Sequence, residues 1–182
     1  MKYVALLRGI NVGGKNKVSM TDLRVCLEEL GYTDVTTYIA SGNVLLTSAK
    51  SPLEIQAQIE KALPRQFKLD SKLIKVLILN PTQLQKVIDE KPLAFGDQPG
   101  TFHSDVIFLM GIDNTEARRV FSPREGVDTV WPGPGVIYSQ RLSAERTKSR
   151  LGKIVGTPAY KSMTIRTWGT VNKLLEMLQS NP

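Results

Sequence analysis

Val4-Ala5-Leu6-Leu7-Arg8-Gly9-Ile10-Asn11 is an apolar strand that runs into a glycine loop. Its pattern returns in the second half of the chain as Val106-Ile107-Phe108-Leu109-Met110-Gly111-Ile112-Asp113. A second stretch, Asn43-Val44-Leu45-Leu46-Thr47, is echoed by Gly135-Val136-Ile137-Tyr138-Ser139. The two echoes stand closer together in the second half. The shortfall falls between the first strand and the hairpin, where the first half carries its glycine loop. The loop therefore reads as an insertion into one copy of a duplicated unit, and Arg8 is paired with the neutral Met110.

Working outward from that strand, the first half has well-marked elements. Ser19 caps a helix with Asp22 three residues on, Val18 and Leu23 fit a hydrophobic staple, and Gly31 stops the helix. Strands are expected at 35–39 and 44–47, around an Ala40-Ser41-Gly42-Asn43 turn. Ser51-Pro52-Leu53-Glu54 opens a second helix with the stripe Ile55, Ile59 and Leu63, and Pro64 is expected to end it. A strand at 73–79 and a helix from Asn80 to about Glu90 complete the order β-α-β-β-α-β plus one helix.

Residues 92–103, with Pro92, Gly96, Pro99 and Gly100, read as a linker between subdomains at 1–91 and 104–182. The second half then follows the same order. It has a strand at 105–109, a helix from Asp113 to about Phe121, and a hairpin of 127–131 and 136–139 around Pro132-Gly133-Pro134-Gly135. A basic helix at 143–155, a strand at 163–166 and a last helix capped by Thr167 follow. The expected fold is thus α+β: a tandem duplication of ferredoxin-like, alpha-beta-plait (βαββαβ) subdomains, each followed by an extra helix.

In that fold the loop after the first strand, the N-terminus of the first helix and the turn between strands two and three share one sheet edge. That edge gathers Arg8, Asn11, Gly13, Gly14, Lys15, Asn16, Lys17, Ser41 and Asn43 as candidate ligand-binding residues. Glycines let backbone N–H groups approach a ligand closely. The helix N-terminus favours an anion, arginine grips carboxylate or phosphate with two bonds, and lysines add charge. Gly9-x4-Gly14-Lys15 comes close to a nucleoside-triphosphate loop. However, Asn16 stands where a serine or threonine should hold Mg²⁺, and the helix cap comes four residues too late.

The charge of +7 fits anionic partners and is concentrated in two segments. Arg141 to Arg166 holds seven basic residues and one acid, and Lys2 to Thr21 holds four and none. One histidine, His103, and one cysteine, Cys26, offer no metal-ligand spacing, so no metal and no cofactor are expected. Cys26 lies on a helical apolar stripe, which suits a buried small hydrophobe. No apolar run is long enough to span a membrane or to form a signal segment, so the expected location is the cytoplasm.

Leu6-Leu7-Arg8-Gly9-Ile10-Asn11-Val12-Gly13-Gly14, Asn16-Lys17, Met20, Asp22-Leu23-Arg24 and Tyr38-Ile39-Ala40-Ser41-Gly42-Asn43-Val44 together resemble the hallmark of a bacterial family. It is catalogued as domain of unknown function sixteen-ninety-seven. Thr164-Ile165-Arg166-Thr167-Trp168-Gly169-Thr170 resembles its closing motif, with Thr167 where asparagine is usual. The resemblance implies two alpha-beta-plait subdomains and no established activity.

Function is therefore read from the residues. The leading expectation is binding of a phosphate-bearing anion, either nucleotide or nucleic acid, at the loop edge. An alternative is an enzyme acting on a small anionic substrate between the subdomains, with Arg166 closing the site; no catalytic residue is assigned. A third reading is a protein-interaction module without a small ligand. The sequence does not specify an oligomeric state.

Overall fold

The computed structural model describes residues 1–70 and 74–180. The architecture is α+β, with two four-stranded antiparallel sheets. The chain divides into two compact units, Met1–Leu84 with Leu174–Pro182, and Gln85–Lys173.

In the first sheet β1 (Lys2–Arg8) lies between β3 (Asn43–Thr47) and β4 (Lys75–Leu79). The strand β2 (Thr33–Tyr38) pairs with β3, giving the order β2-β3-β1-β4. Leu73, expected to open the last of these strands, lies outside the described residues. Tyr3, Ala5 and Leu7 alternate onto one face of β1. There they join Leu23 and Leu27 of α1 (Met20–Glu29) and Ile55, Ile59 and Leu63 of α2 (Pro52–Gln66) in one core. Val4 and Leu6, on the other face, are equally buried, as a continuously apolar strand requires.

Pro64 does not end α2, which runs on to Gln66. It lies in the last turn, where its missing N–H removes a single bond, and the Phe67 N–H closes the helix on the Leu63 carbonyl at 3.0 Å. The helix α3 (Pro81–Asp89) begins with a reciprocal cap between Asn80 and Gln83.

The second sheet holds β5 (Phe102–Leu109), β6 (Asp128–Gly133), β7 (Val136–Leu142) and β8 (Met163–Thr167) in the order β6-β7-β5-β8. Ile107, Leu109, Val130, Ile137 and Met163 face a second core with Ala117 of α4 (Asn114–Arg118), Phe121, Leu151 and Ile154. A long helix, α5 (Trp168–Ser180), ends the chain.

Several elements of this half depart from expectation. Pro132 and Gly133 belong to β6 instead of the turn, which proline tolerates because β6 is an edge strand. The helix expected from 113 to 121 stops at Arg118. Beyond it the N–H groups of Val120 and Phe121 bond back three residues, to Ala117 and Arg118, so the helix tightens before Pro123. The basic helix expected at 143–155 is absent. Ser143–Lys148, Leu151–Gly156 and Pro158–Ser162 are three separate 3₁₀ segments. The Arg150 N–H, which a continuous α-helix would bond to Arg146, donates to the Asp128 carboxylate at 2.8 Å, and this divides the segment.

Residues ahead of β5 are firmly anchored. Phe95 is fully buried and meets Trp131, Tyr138 and Trp168 edge-on at ring-centre distances of 6.0, 5.2 and 5.3 Å. The Tyr138 hydroxyl donates to the Val87 carbonyl at 2.6 Å.

Candidate functional site

The loop between β1 and α1 is wired mainly through two asparagines. Asn11 takes φ +54, donates from Nδ2 to the carbonyls of Val18 and Ala40, each at 2.9 Å, and accepts the Val18 N–H on Oδ1 at 2.8 Å. Its side chain thus closes the loop on itself and ties it to the β2–β3 turn. Asn16 takes φ +48 and is only 5 % exposed. It donates from Nδ2 to the Gly9 carbonyl at 2.7 Å, and its own N–H donates to the Asp70 carboxylate at 2.7 Å. The Asn11 N–H reaches the Asn16 carbonyl at 3.0 Å, completing a closed ring of backbone and amide bonds.

On that base stands a tight turn. The Lys15 N–H donates to the Val12 carbonyl at 3.0 Å, with Gly13 at φ +58 and Gly14 at φ +76 between them. Two successive positive φ values are the signature of a type I′ turn. Nothing lies within 4 Å of where a Cβ would stand on either glycine, so the tip is open. Lys15 and Lys17 are exposed, and among the described residues neither has an ion pair. At the loop's root, Arg8 stands directly across from Lys75 in the β1–β4 pairing.

The β2–β3 turn closes against the same edge. The Leu7 N–H donates to the Gly42 carbonyl at 2.8 Å. Asn43 is fully buried, and its Nδ2 donates to the Tyr38 carbonyl at 3.1 Å and to Ser41 Oγ at 2.9 Å. Of the expected ligand residues, then, the structure brings Arg8 through Lys17 and Ser41 to Asn43 onto one edge. Within that group the amides of Asn11, Asn16 and Asn43 hold backbone, while Gly13, Gly14, Lys15 and Lys17 face solvent.

Arg166 lies in the second unit, on β8. Its guanidinium donates to Thr164 Oγ1 at 2.9 Å and to the Ile165 carbonyl at 2.7 Å, and burial lowers its pKa to about 10.

The loop is not a nucleoside-triphosphate loop. Such a loop turns its successive N–H groups onto phosphates. Here the N–H groups of Asn11, Lys15, Asn16 and Val18 are all bonded within the protein, and α1 starts only at Met20. Asp70 and Lys75 belong to the edge, yet neither stands out in the sequence. Asp70 is 54 positions from the N–H that it accepts, and only the path of the chain after α2 brings it there.

Cys26, Asp105 and Asp128 are among the ionisable groups elsewhere whose pKa values are shifted. Burial raises the Cys26 thiol, helped by Glu29, which keeps it a protonated core residue. Burial also raises the Asp105 carboxyl, against the opposing pull of His103 at 3.1 Å and Arg141 at 3.7 Å. Burial acts the same way on Asp128, but hydrogen bonds from the Arg150 N–H, the Ser149 hydroxyl and the Arg124 N–H outweigh it and leave that carboxyl below its usual value. Two open grooves of about 380 and 430 Å³ lie away from the loop, one between α1 and α2 and one beside Asn114, Arg118 and Pro132. Among the described residues no helix is long and apolar enough to cross a membrane.

The chain is similar to a solved structure described as the conserved bacterial protein SP0830 from Streptococcus pneumoniae. The identity is 26 %, 98 % of each chain is covered, and the TM-score is 0.81. No curated protein matches. A family model described as "Protein of unknown function (DUF1697)" matches residues 1–138, which include the glycine loop and the Ser41-Gly42-Asn43 turn and end before Arg166. On the strength of that match, over well more than half of its length, the chain belongs to the DUF1697 family of proteins of unknown function.

Proposed function

We propose that the glycine-loop edge of the first unit binds a phosphate-bearing ligand of nucleotide size. One observation carries this reading. The loop is fixed at its base by the amides of Asn11 and Asn16, while its tip is open and presents Lys15 and Lys17 without acidic partners. A fixed base lowers the ordering cost of binding, and unpaired lysines favour an anion.

A nucleotide is favoured over a bare anion because apolar surface adjoins the cations. Val12 is 62 % and Ile39 is 53 % exposed, and the Asn11–Ala40 bond ties their two segments together. Ile39 also holds φ +48, which for a β-branched residue stores about 1–3 kcal/mol of strain. Strain of that size at an exposed position suits a contact residue. The cytoplasm, where nucleotides abound, is the location that goes with this reading.

We infer in addition that the two sheets descend from one duplicated ferredoxin-like unit, with subdomains at 1–91 and 104–182. Support comes from their matching strand orders and from the echo of Val4–Asn11 in Val106–Asp113. The glycine loop is then the feature that one copy gained.

A thermal-shift panel of nucleotides, sugar phosphates and inorganic phosphate tests the ligand. A native-state ligand at a hundred times its dissociation constant stabilises by about 2.7 kcal/mol. A nucleotide shift abolished by Lys15→Ala with Lys17→Ala is expected. A flat panel, or a shift that survives the double variant, overturns the proposal.

A further inference from the structure

We propose that the second unit carries a separate surface for the phosphodiester backbone of a nucleic acid, formed by Arg124, Arg146, Arg150 and Lys153. The organising group is Asp128. Its buried carboxylate accepts the N–H of Arg124 at 3.0 Å and the N–H of Arg150 at 2.8 Å on the same oxygen, Oδ2. Two chain segments far apart in sequence are thereby drawn to one point, and each leaves an exposed arginine side chain there. A lone buried carboxylate holds their backbones without pairing with their guanidinium groups.

The 3₁₀ geometry extends this pair into a row. Side chains three apart in a 3₁₀ turn eclipse one another. In Leu151–Gly156 that period buries Leu151 and Ile154 together in the core of the second sheet. The neighbouring column is Arg150 and Lys153, joined by the Lys153 N–H bond to the Arg150 carbonyl at 3.0 Å, and both are exposed. A rise of about 2 Å per residue sets them about 6 Å apart, the scale of the step between successive phosphates on a strand.

In the preceding segment Glu145 and Lys148 pair at 2.6 Å and neutralise each other, which leaves Arg146 as the outward cation. Among the described residues none of the four proposed cations has an ion pair.

An anionic membrane fits this surface less well. Interfacial binding buries an apolar face beside the basic one. Here Leu151 and Ile154 point into the core, and Val155 alone does not make such a face.

The test uses the full chain and a short fluorescein-labelled single-stranded RNA, with anisotropy read at several salt concentrations between about 50 and 200 mM. Four contacts to a single strand give a slope of log affinity against log salt of about −2.8, a fall of roughly fifty-fold across that range. Arg150→Gln with Lys153→Gln is expected to weaken binding at least ten-fold at the low-salt end and to halve the slope; Arg124→Gln gives a smaller change of the same kind. Thermal unfolding of each variant checks that the fold is kept.

Unchanged RNA affinity in the folded double variant overturns the proposal, as does absence of binding at low salt. Binding to phosphatidylserine vesicles without RNA binding overturns it in favour of a membrane. The loop variant Lys15→Ala with Lys17→Ala is expected to leave RNA affinity within two-fold. If that variant abolishes binding while the Arg150 and Lys153 variant does not, the polyanion sits at the loop and this second surface is rejected.

Discussion

Asn11 Nδ2 donates to the Ala40 carbonyl at 2.9 Å, so a single side chain joins the loop after β1 to the turn between β2 and β3. The same amide donates to the Val18 carbonyl and accepts the Val18 N–H. Removing it leaves backbone groups short of partners, each at a cost of about 1–3 kcal/mol where water cannot replace them. Asn11→Ala is therefore expected to lower stability by about 2–4 kcal/mol in urea unfolding. Asn11→Gly loses the same bonds but accepts φ +54 without strain. It should fall short of the parent yet exceed Asn11→Ala. Equal losses for the two variants would mean that the backbone conformation at this position carries no strain.

Glycines at this edge differ in what they do. A Cβ on Gly42 would stand 2.8 Å from the Leu7 carbonyl oxygen and 3.0 Å from Ile10 Cγ1, at φ +77. Both a backbone and a buried side chain would have to move. Gly42→Ala is expected to cost about 2–4 kcal/mol, from strain and overpacking together. Gly14→Ala meets nothing within 4 Å and carries only the strain of φ +76, about 1–2 kcal/mol. Thermal unfolding of the two variants decides this: a Gly14→Ala loss as large as that of Gly42→Ala would show that the loop tip is packed and not open.

The strands of the first sheet, the helices α1 and α2 and the shared edge are legible in the sequence because local signals agree there. Ser19 and Ser51 cap, Gly31 stops, and β1 alternates between two apolar faces. What escapes the sequence depends on long-range bonds. Nothing local announces that Asp128 takes the Arg150 N–H, so 143–155 looks helical from its apolar spacing alone. The asparagines of the loop look like ligand groups because their chemistry suits a ligand. In the structure the same chemistry serves backbone carbonyls first.

Asp128 and Asp105 should respond to pH with opposite sign. The folded pKa of Asp128 lies below its ordinary value of 3.8, so its contribution is fully present above 3.8 and is lost as pH falls through the folded value. Asp128→Asn should unfold at lower temperature than the parent at pH 7, with the gap closing in acid. The folded pKa of Asp105 lies above 3.8, chiefly through burial. The fold then favours the protonated form, and stability declines as pH rises through that folded value. Asp105→Asn should match or exceed the parent at pH 7 despite losing its contacts to His103 and Arg141. Melting curves across this range test both; a destabilised Asp105→Asn at pH 7 would show that the ion pairs outweigh burial.

Phe95 fills the centre of the aromatic group formed with Trp131, Tyr138 and Trp168. Phe95→Ala removes a fully buried ring and is expected to cost about 3–5 kcal/mol. Phe95→Leu keeps most of the volume and loses the edge-to-face contacts, for a smaller loss of about 1–2 kcal/mol. Gly96 beside it holds φ +77, and a Cβ there would lie 2.2 Å from Trp168 Cδ1. Gly96→Ala must therefore displace the indole. Its tryptophan emission should shift even where the fold survives, whereas that of Phe95→Leu should shift little. An unchanged spectrum in Gly96→Ala would mean that Trp168 does not pack against this segment in solution.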